Sequence, residues 1–160
     1  MAKNSFNRII ISLLLICASL FSSAQKNNEE TIKNIVETQD FIFKAQMVMP
    51  LDAASRQLEP NYYDVKVSKK TLEVFLPYFG RAYSVTTYPS DGGINFNSAK
   101  FDYKVTENKK GGWDISIKPE DAITTRELSF NIFKNGFAEL QVISDNRQPI
   151  SFHGYITRSE

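Results

Sequence analysis

The residues best suited to chemistry cluster in one short segment, Tyr78-Phe79-Gly80-Arg81-Ala82-Tyr83. Three aromatic rings around one arginine suit sugar stacking, carboxylate binding or a cation–π contact. The same composition suits a structural role, with Gly80 at a bend, the rings in the core, and Arg81 lying against them and paired to an acid. Asn146-Arg147-Gln148 places a second arginine among polar residues and reads first as a turn between two strands. Tyr78, Arg81, Tyr83, Asn95 and Arg147 are the candidate binding residues.

Other chemistries are poorly supplied. His153 is the only histidine and Cys17 the only cysteine. A zinc site needs three or four N, S or O ligands, usually several of them His or Cys. Asp91, Asn95 and Asn97 could meet calcium, but their spacing matches no EF-hand loop and reads as a polar turn. The chain from Gln25 on has no Gly-x-Ser-x-Gly elbow and no Ser-x-x-Lys. Ser68 and Ser98 each have a lysine two residues on, which chance supplies freely. Gly92-Gly93 and Gly111-Gly112 lack the Gly-Lys-Ser/Thr of a phosphate loop. A glycosidase needs two placed carboxylates, and composition cannot choose them from 18 acids. No catalytic residue, metal site or cofactor is assigned.

The N-terminus sets the compartment. Lys3 and Arg8 precede an apolar run from Ile9 to Phe21, then Ser22-Ser23-Ala24 and Gln25. A basic head, a short apolar stretch and small residues at the cut are the parts of a secretory signal peptide. The run is too short to span a bilayer comfortably. Lipidation at Cys17 is the lesser alternative, because Ile16 stands where a small residue is wanted and Leu20 and Phe21 follow. The expectation is residues 1–24 as a signal peptide, 25–39 as a helical segment and 40–160 as a single β domain, exported to the periplasm or secreted. The mature chain carries 17 basic against 18 acidic residues and no cysteine. That balance argues against nucleic acid and against a polybasic membrane patch. No membrane span is expected after cleavage.

The elements that would position the candidates follow from periodicity. Ile32, Ile35 and Val36 recur at helical spacing behind Glu29 and Glu30, predicting a helix over Glu29 to Thr38. The period then becomes two. Phe41, Phe43, Ala45, Met47 and Met49 alternate with Ile42, Lys44, Gln46 and Val48. Further strands are predicted over 63–68, 71–76, 101–105, 113–117, 128–133, 137–143 and 150–156. Asn108 to Gly112 and Asn135-Gly136 read as hairpin turns, the latter built of two residues that tolerate positive φ. Prolines 50, 60, 77, 89, 119 and 149 fall at the edges of these runs, where a sheet tolerates them. About eight strands with local connections predict a mostly β fold. It is an antiparallel meander closed as a barrel or folded as a sandwich, with a lipocalin-like barrel as one form.

Several segments resemble a known family. They are Leu76-Pro77-Tyr78-Phe79-Gly80-Arg81-Ala82-Tyr83, Gly92-Gly93-Ile94-Asn95-Phe96, Phe101 to Glu107 with Gly112-Trp113, Asn135-Gly136, Asn146-Arg147-Gln148, and Ile150 to Gly154. Together they look like the domain of unknown function family 4251, exported proteins of Bacteroides-like Gram-negative bacteria. The resemblance runs from about Asp40 to the C-terminus. It implies export and a compact domain, and it brings no activity and no site residue.

These observations favour an exported, non-enzymatic binding or interaction module. Its partner would be a small apolar or aromatic-friendly ligand, or an envelope protein, held in or on a small barrel. The alternative is a carboxylate-based hydrolase acting on a glycan or another envelope substrate.

Overall fold

The computed structural model describes residues 29–83, 92–109 and 111–159. The expected signal peptide over residues 1–24, with Cys17 and the expected cut after Ala24, lies outside them, as do Asp91 and Lys110. One helix, α1 (29–37), precedes ten strands: β1 Phe41–Pro50, β2 Arg56–Gln57, β3 Asp64–Val67, β4 Leu72–Leu76, β5 Ile94–Ser98, β6 Phe101–Glu107, β7 Trp113–Pro119, β8 Thr125–Ile132, β9 Phe137–Ser144 and β10 Ile150–Arg158.

All pairings are antiparallel, in the order β5-β4-β3-β1-β10-β9-β8-β7-β6, with β2 added to the far end of β1. The sheet is a meander whose last strand returns beside its first, so it curls into a nearly closed barrel. Of the two arrangements left open by the sequence, barrel and sandwich, the chain takes the barrel. Its edges are β5 and β6, which the two residues Ala99 and Lys100 join without a ladder between them.

The interior is filled with side chains. Phe41, Phe43, Leu72, Leu76, Ile115, Ile117, Leu128, Ile132, Leu140, Ile150 and Phe152 are all fully buried. The Phe130 ring stands edge-on to Phe41 and Phe43, with centroids 5.8 and 5.6 Å apart. Ile32, Ile35 and Val36 of α1 join the same core. The helix lies where β1 begins. The Tyr103 hydroxyl of β6 donates to the Val36 carbonyl at 2.9 Å, and Lys134 beyond β8 pairs with Glu29 at 2.6 Å.

Two expectations need correction. The alternation of β1 breaks at Ala45. Gly154 of β10 faces Ala45 and His153 faces Met47, so Gln46 is an extra residue and forms a bulge. Beyond it Val48 and Pro50 point inward, and Met47 and Met49 turn out. Gly154 is needed there, since a Cβ would stand 2.0 Å from the Lys44 carbonyl oxygen. Second, the supposed polar turn around Asn95 and Asn97 is strand β5, with Ile94 and Ser98 buried and both asparagines exposed. The Asn135-Gly136 turn lies where it is expected, and of its two residues Gly136 takes the positive φ, at 86°. Phe133 N–H donates to the Phe137 carbonyl and Gly136 N–H to that of Phe133, a longer turn closed by one left-handed glycine.

Candidate functional site

Both arginine-bearing segments lie at the barrel end opposite α1, where β1 finishes and β10 starts. They form a short antiparallel contact. Ala82 bridges Arg147, Tyr83 N–H donates to the Asn146 carbonyl at 2.8 Å, and Gln148 N–H donates to that of Arg81 at 3.1 Å. The structure therefore brings the two singled-out segments together, although Arg81 and Asn146 are 65 positions apart in the sequence.

Tyr78 organises this end. Its hydroxyl lies 2.8 Å from the Arg81 carbonyl and 3.0 Å from that of Gln148 and shares its proton between them. Gly80 permits this, because a Cβ there would fall 2.6 Å from that hydroxyl. Burial pushes the Tyr78 hydroxyl up in pKa, and the neighbouring Arg147 charge partly offsets it. The Arg147 guanidinium carbon stands 4.8 Å from the centre of the Tyr78 ring. Its Nη1 donates to the Gly93 carbonyl at 3.1 Å and that of Gly92 at 3.4 Å, and its Nε to Asn146 Oδ1 at 3.3 Å. It meets no carboxylate among the described residues. Gln148 joins the end of β1 to the cluster by donating to Asp52 at 2.8 Å.

Arg81 is placed differently from expectation. It is exposed and uses its backbone in the cluster, where its N–H donates to Gln148 Oε1 at 3.3 Å. The ring-stacked arginines are Arg147 on Tyr78 and Arg56 on Phe79, the latter at 5.1 Å. Tyr83 is 68% exposed, so its ring is not in the core. Asn95 stands apart from Tyr78 on β5, yet it shares a crevice with Arg147.

That crevice, about 330 Å³, runs between β5 and the connection from β7 to β8. Gly93 to Asn97 form one wall and Asp121 to Thr125 the other, with Arg147 and Ser144 alongside. Ala99 N–H donates to Asp121 Oδ2 at 3.0 Å and Glu120 N–H to the Lys100 carbonyl at 2.9 Å, pinning the two walls together at one end. Ile123 is 90% exposed at the rim. It was missed in the sequence, although a lone isoleucine within Asp121-Ala122-Ile123-Thr124-Thr125 is the kind of residue that asks for a partner.

A second cleft, about 590 Å³, lies on the outer face of β7 to β10 and is lined by Asp114, Asn131, Glu139, Gln141 and His153 among others. His153 Nε2 is 3.6 Å from Glu139 Oε1, and Asn131 donates to Asp114 at 2.7 Å. A glycosidase-type carboxylate pair keeps one carboxyl protonated as the acid by shielding it from water. Asp114 and Glu139 are both exposed. Among the described residues no group of three or more His, Cys, Asp or Glu is placed to hold a metal, and no helix is long and apolar enough to cross a membrane.

Comparison with known proteins adds the family. The model described as "Domain of unknown function (DUF4251)" matches residues 23–156. The fold is similar to the crystal structure of a DUF4251 family protein from Bacteroides eggerthii, at TM-score 0.62 and 14% identity, covering 85% of this chain and 91% of that one. A search of curated proteins finds no match.

Proposed function

Because this chain belongs to the DUF4251 family, whose description assigns no activity, we propose its role from its own geometry: an exported, non-enzymatic interaction module that works through the crevice beside Arg147. One observation carries this reading. The barrel interior is packed with large apolar side chains, while the opposite end from α1 presents a cationic group, a strand edge and an exposed isoleucine around one groove. A ligand therefore meets the outside of this barrel, unlike barrels whose interior holds a small molecule. Export rests on the leader pattern of residues 1–24.

The test is co-purification from the envelope of the native host with wild type, Arg147→Ala and Arg81→Ala. A species retained by wild type and by Arg81→Ala but lost by Arg147→Ala is expected. Equal retention by all three, or an apolar small molecule that stays with the folded barrel, would overturn the reading.

A further inference from the structure

Resting on the reading that this crevice is the working site, we propose that its occupant is the free C-terminal tail of a partner protein. The tail adds as a strand beside β5 and sets its terminal carboxylate on Arg147.

The first ground is the edge. β5 pairs with β4 on one side only, so the backbone donors and acceptors of its other side have no ladder partner among the described residues. Such an edge is a template for another chain. The crevice follows that edge, because consecutive residues Gly93 to Asn97 line it and so bring main chain to its surface. A small metabolite is held by converging side chains, whereas a wall of backbone suits an extended peptide.

The second ground is charge. Arg147 stands by Gly93, at the start of β5, and Asp121 stands by Ala99, just past its end. A cation at one end and an anion at the other give the groove a direction. A chain carrying its carboxylate toward Arg147 keeps that charge away from Asp121. The guanidinium is already oriented by the Tyr78 ring and two carbonyls and has no carboxylate partner among the described residues, so little ordering is left to the ligand. The third ground is apolar. Ile123, at the rim of the facing wall, offers a contact for one inward side chain of the tail. The five residues of β5 span about 17 Å, room for a tail of similar length.

The probe is a display library of random heptapeptides with free C-termini, selected on the mature protein. Enriched sequences are then made as free acid, C-terminal amide and backbone N-methylated forms, and binding is read by fluorescence anisotropy. Amidation should weaken binding by about tenfold or more, and Arg147→Ala should do the same to the acid while leaving the amide unaffected. N-methylation should be harmful at alternate positions only, as strand pairing requires. Failure to enrich any sequence, or peptides indifferent to amidation, overturns the proposal. An unaltered amide with loss on replacing an internal Asp or Glu would assign Arg147 to a side-chain carboxylate and overturn the C-terminal assignment. A photo-crosslinker at Ile123 in the host separates the two levels. An adduct there without peptide enrichment refutes the tail and leaves the crevice as the working site. No adduct and no enrichment refutes both.

Discussion

Arg147 and Arg81 sit within one small cluster, yet only truncation of Arg147 should destabilise the fold. The Arg147 guanidinium makes one well-placed hydrogen bond, to Gly93 at 3.1 Å, two longer ones at 3.3 and 3.4 Å, and a stacking contact on Tyr78. A charged donor in a half-buried setting contributes about 1–1.5 kcal/mol in its good bond, and the cation–π contact about 0.5–1 kcal/mol. Arg147→Ala should therefore cost about 2 kcal/mol. In a domain of this size that lowers Tm by roughly 6–10 °C. Arg147→Lys keeps the charge and loses the fork, so it should recover about half of the loss. Arg81→Ala removes an exposed guanidinium with no hydrogen bond or ion pair among the described residues and should stay within about ±0.5 kcal/mol. Urea unfolding of the four proteins at one pH gives the comparison. An Arg147→Ala variant that unfolds like wild type, with Arg81→Ala falling instead, would refute this assignment of the two arginines.

Gly136→Val should destabilise by about 2–3 kcal/mol, since φ is +86° and a Cβ would stand 3.0 Å from Ile32 Cδ1; an unchanged Tm would place the turn elsewhere. Burial raises the Tyr103 hydroxyl above its unfolded pKa of about 10. Its stabilising contribution is thus complete below about pH 10 and is lost as pH rises further. Tyr103→Phe, which leaves the Val36 carbonyl only the longer bond from Gln39 N–H at 3.3 Å, should cost about 1 kcal/mol at pH 7 and flatten the alkaline loss seen by denaturant titration. The exported chain should begin at Gln25 by intact mass; a start at Cys17 with acyl mass would make it a lipoprotein.

Much of the barrel was legible because one face of each strand is buried. Leu72, Val74 and Leu76 alternate with the less buried Glu73 and Phe75, and Leu128, Phe130 and Ile132 with Ser129 and Asn131, so both sets report their own orientation. β5 was not legible. Its inward positions are Ile94, Phe96 and Ser98, and its outward asparagines favour turns when read alone. The bulge at Gln46 was hidden because methionine fits either face of a strand, so Met47 and Met49 prolonged a false alternation. The site was half legible. Tyr78 and Arg147 were named, but which arginine stacks on which ring depends on the contact between residues 81–83 and 146–148, a long-range pairing that local pattern does not encode. Ile123 and the free edge of β5 emerge only once the sheet is seen to leave its barrel open between β5 and β6.

The claim that this barrel works from its crevice is tested most directly by photo-crosslinking in the native host. The crosslinker is placed in turn at Ile123, on the crevice rim, and at Thr157, an exposed residue near the end of β10 on the α1 side. The account predicts one discrete adduct from Ile123 that disappears when Arg147→Ala is added, and none from Thr157. Adducts of equal yield from both positions, or an Ile123 adduct indifferent to Arg147, would contradict it.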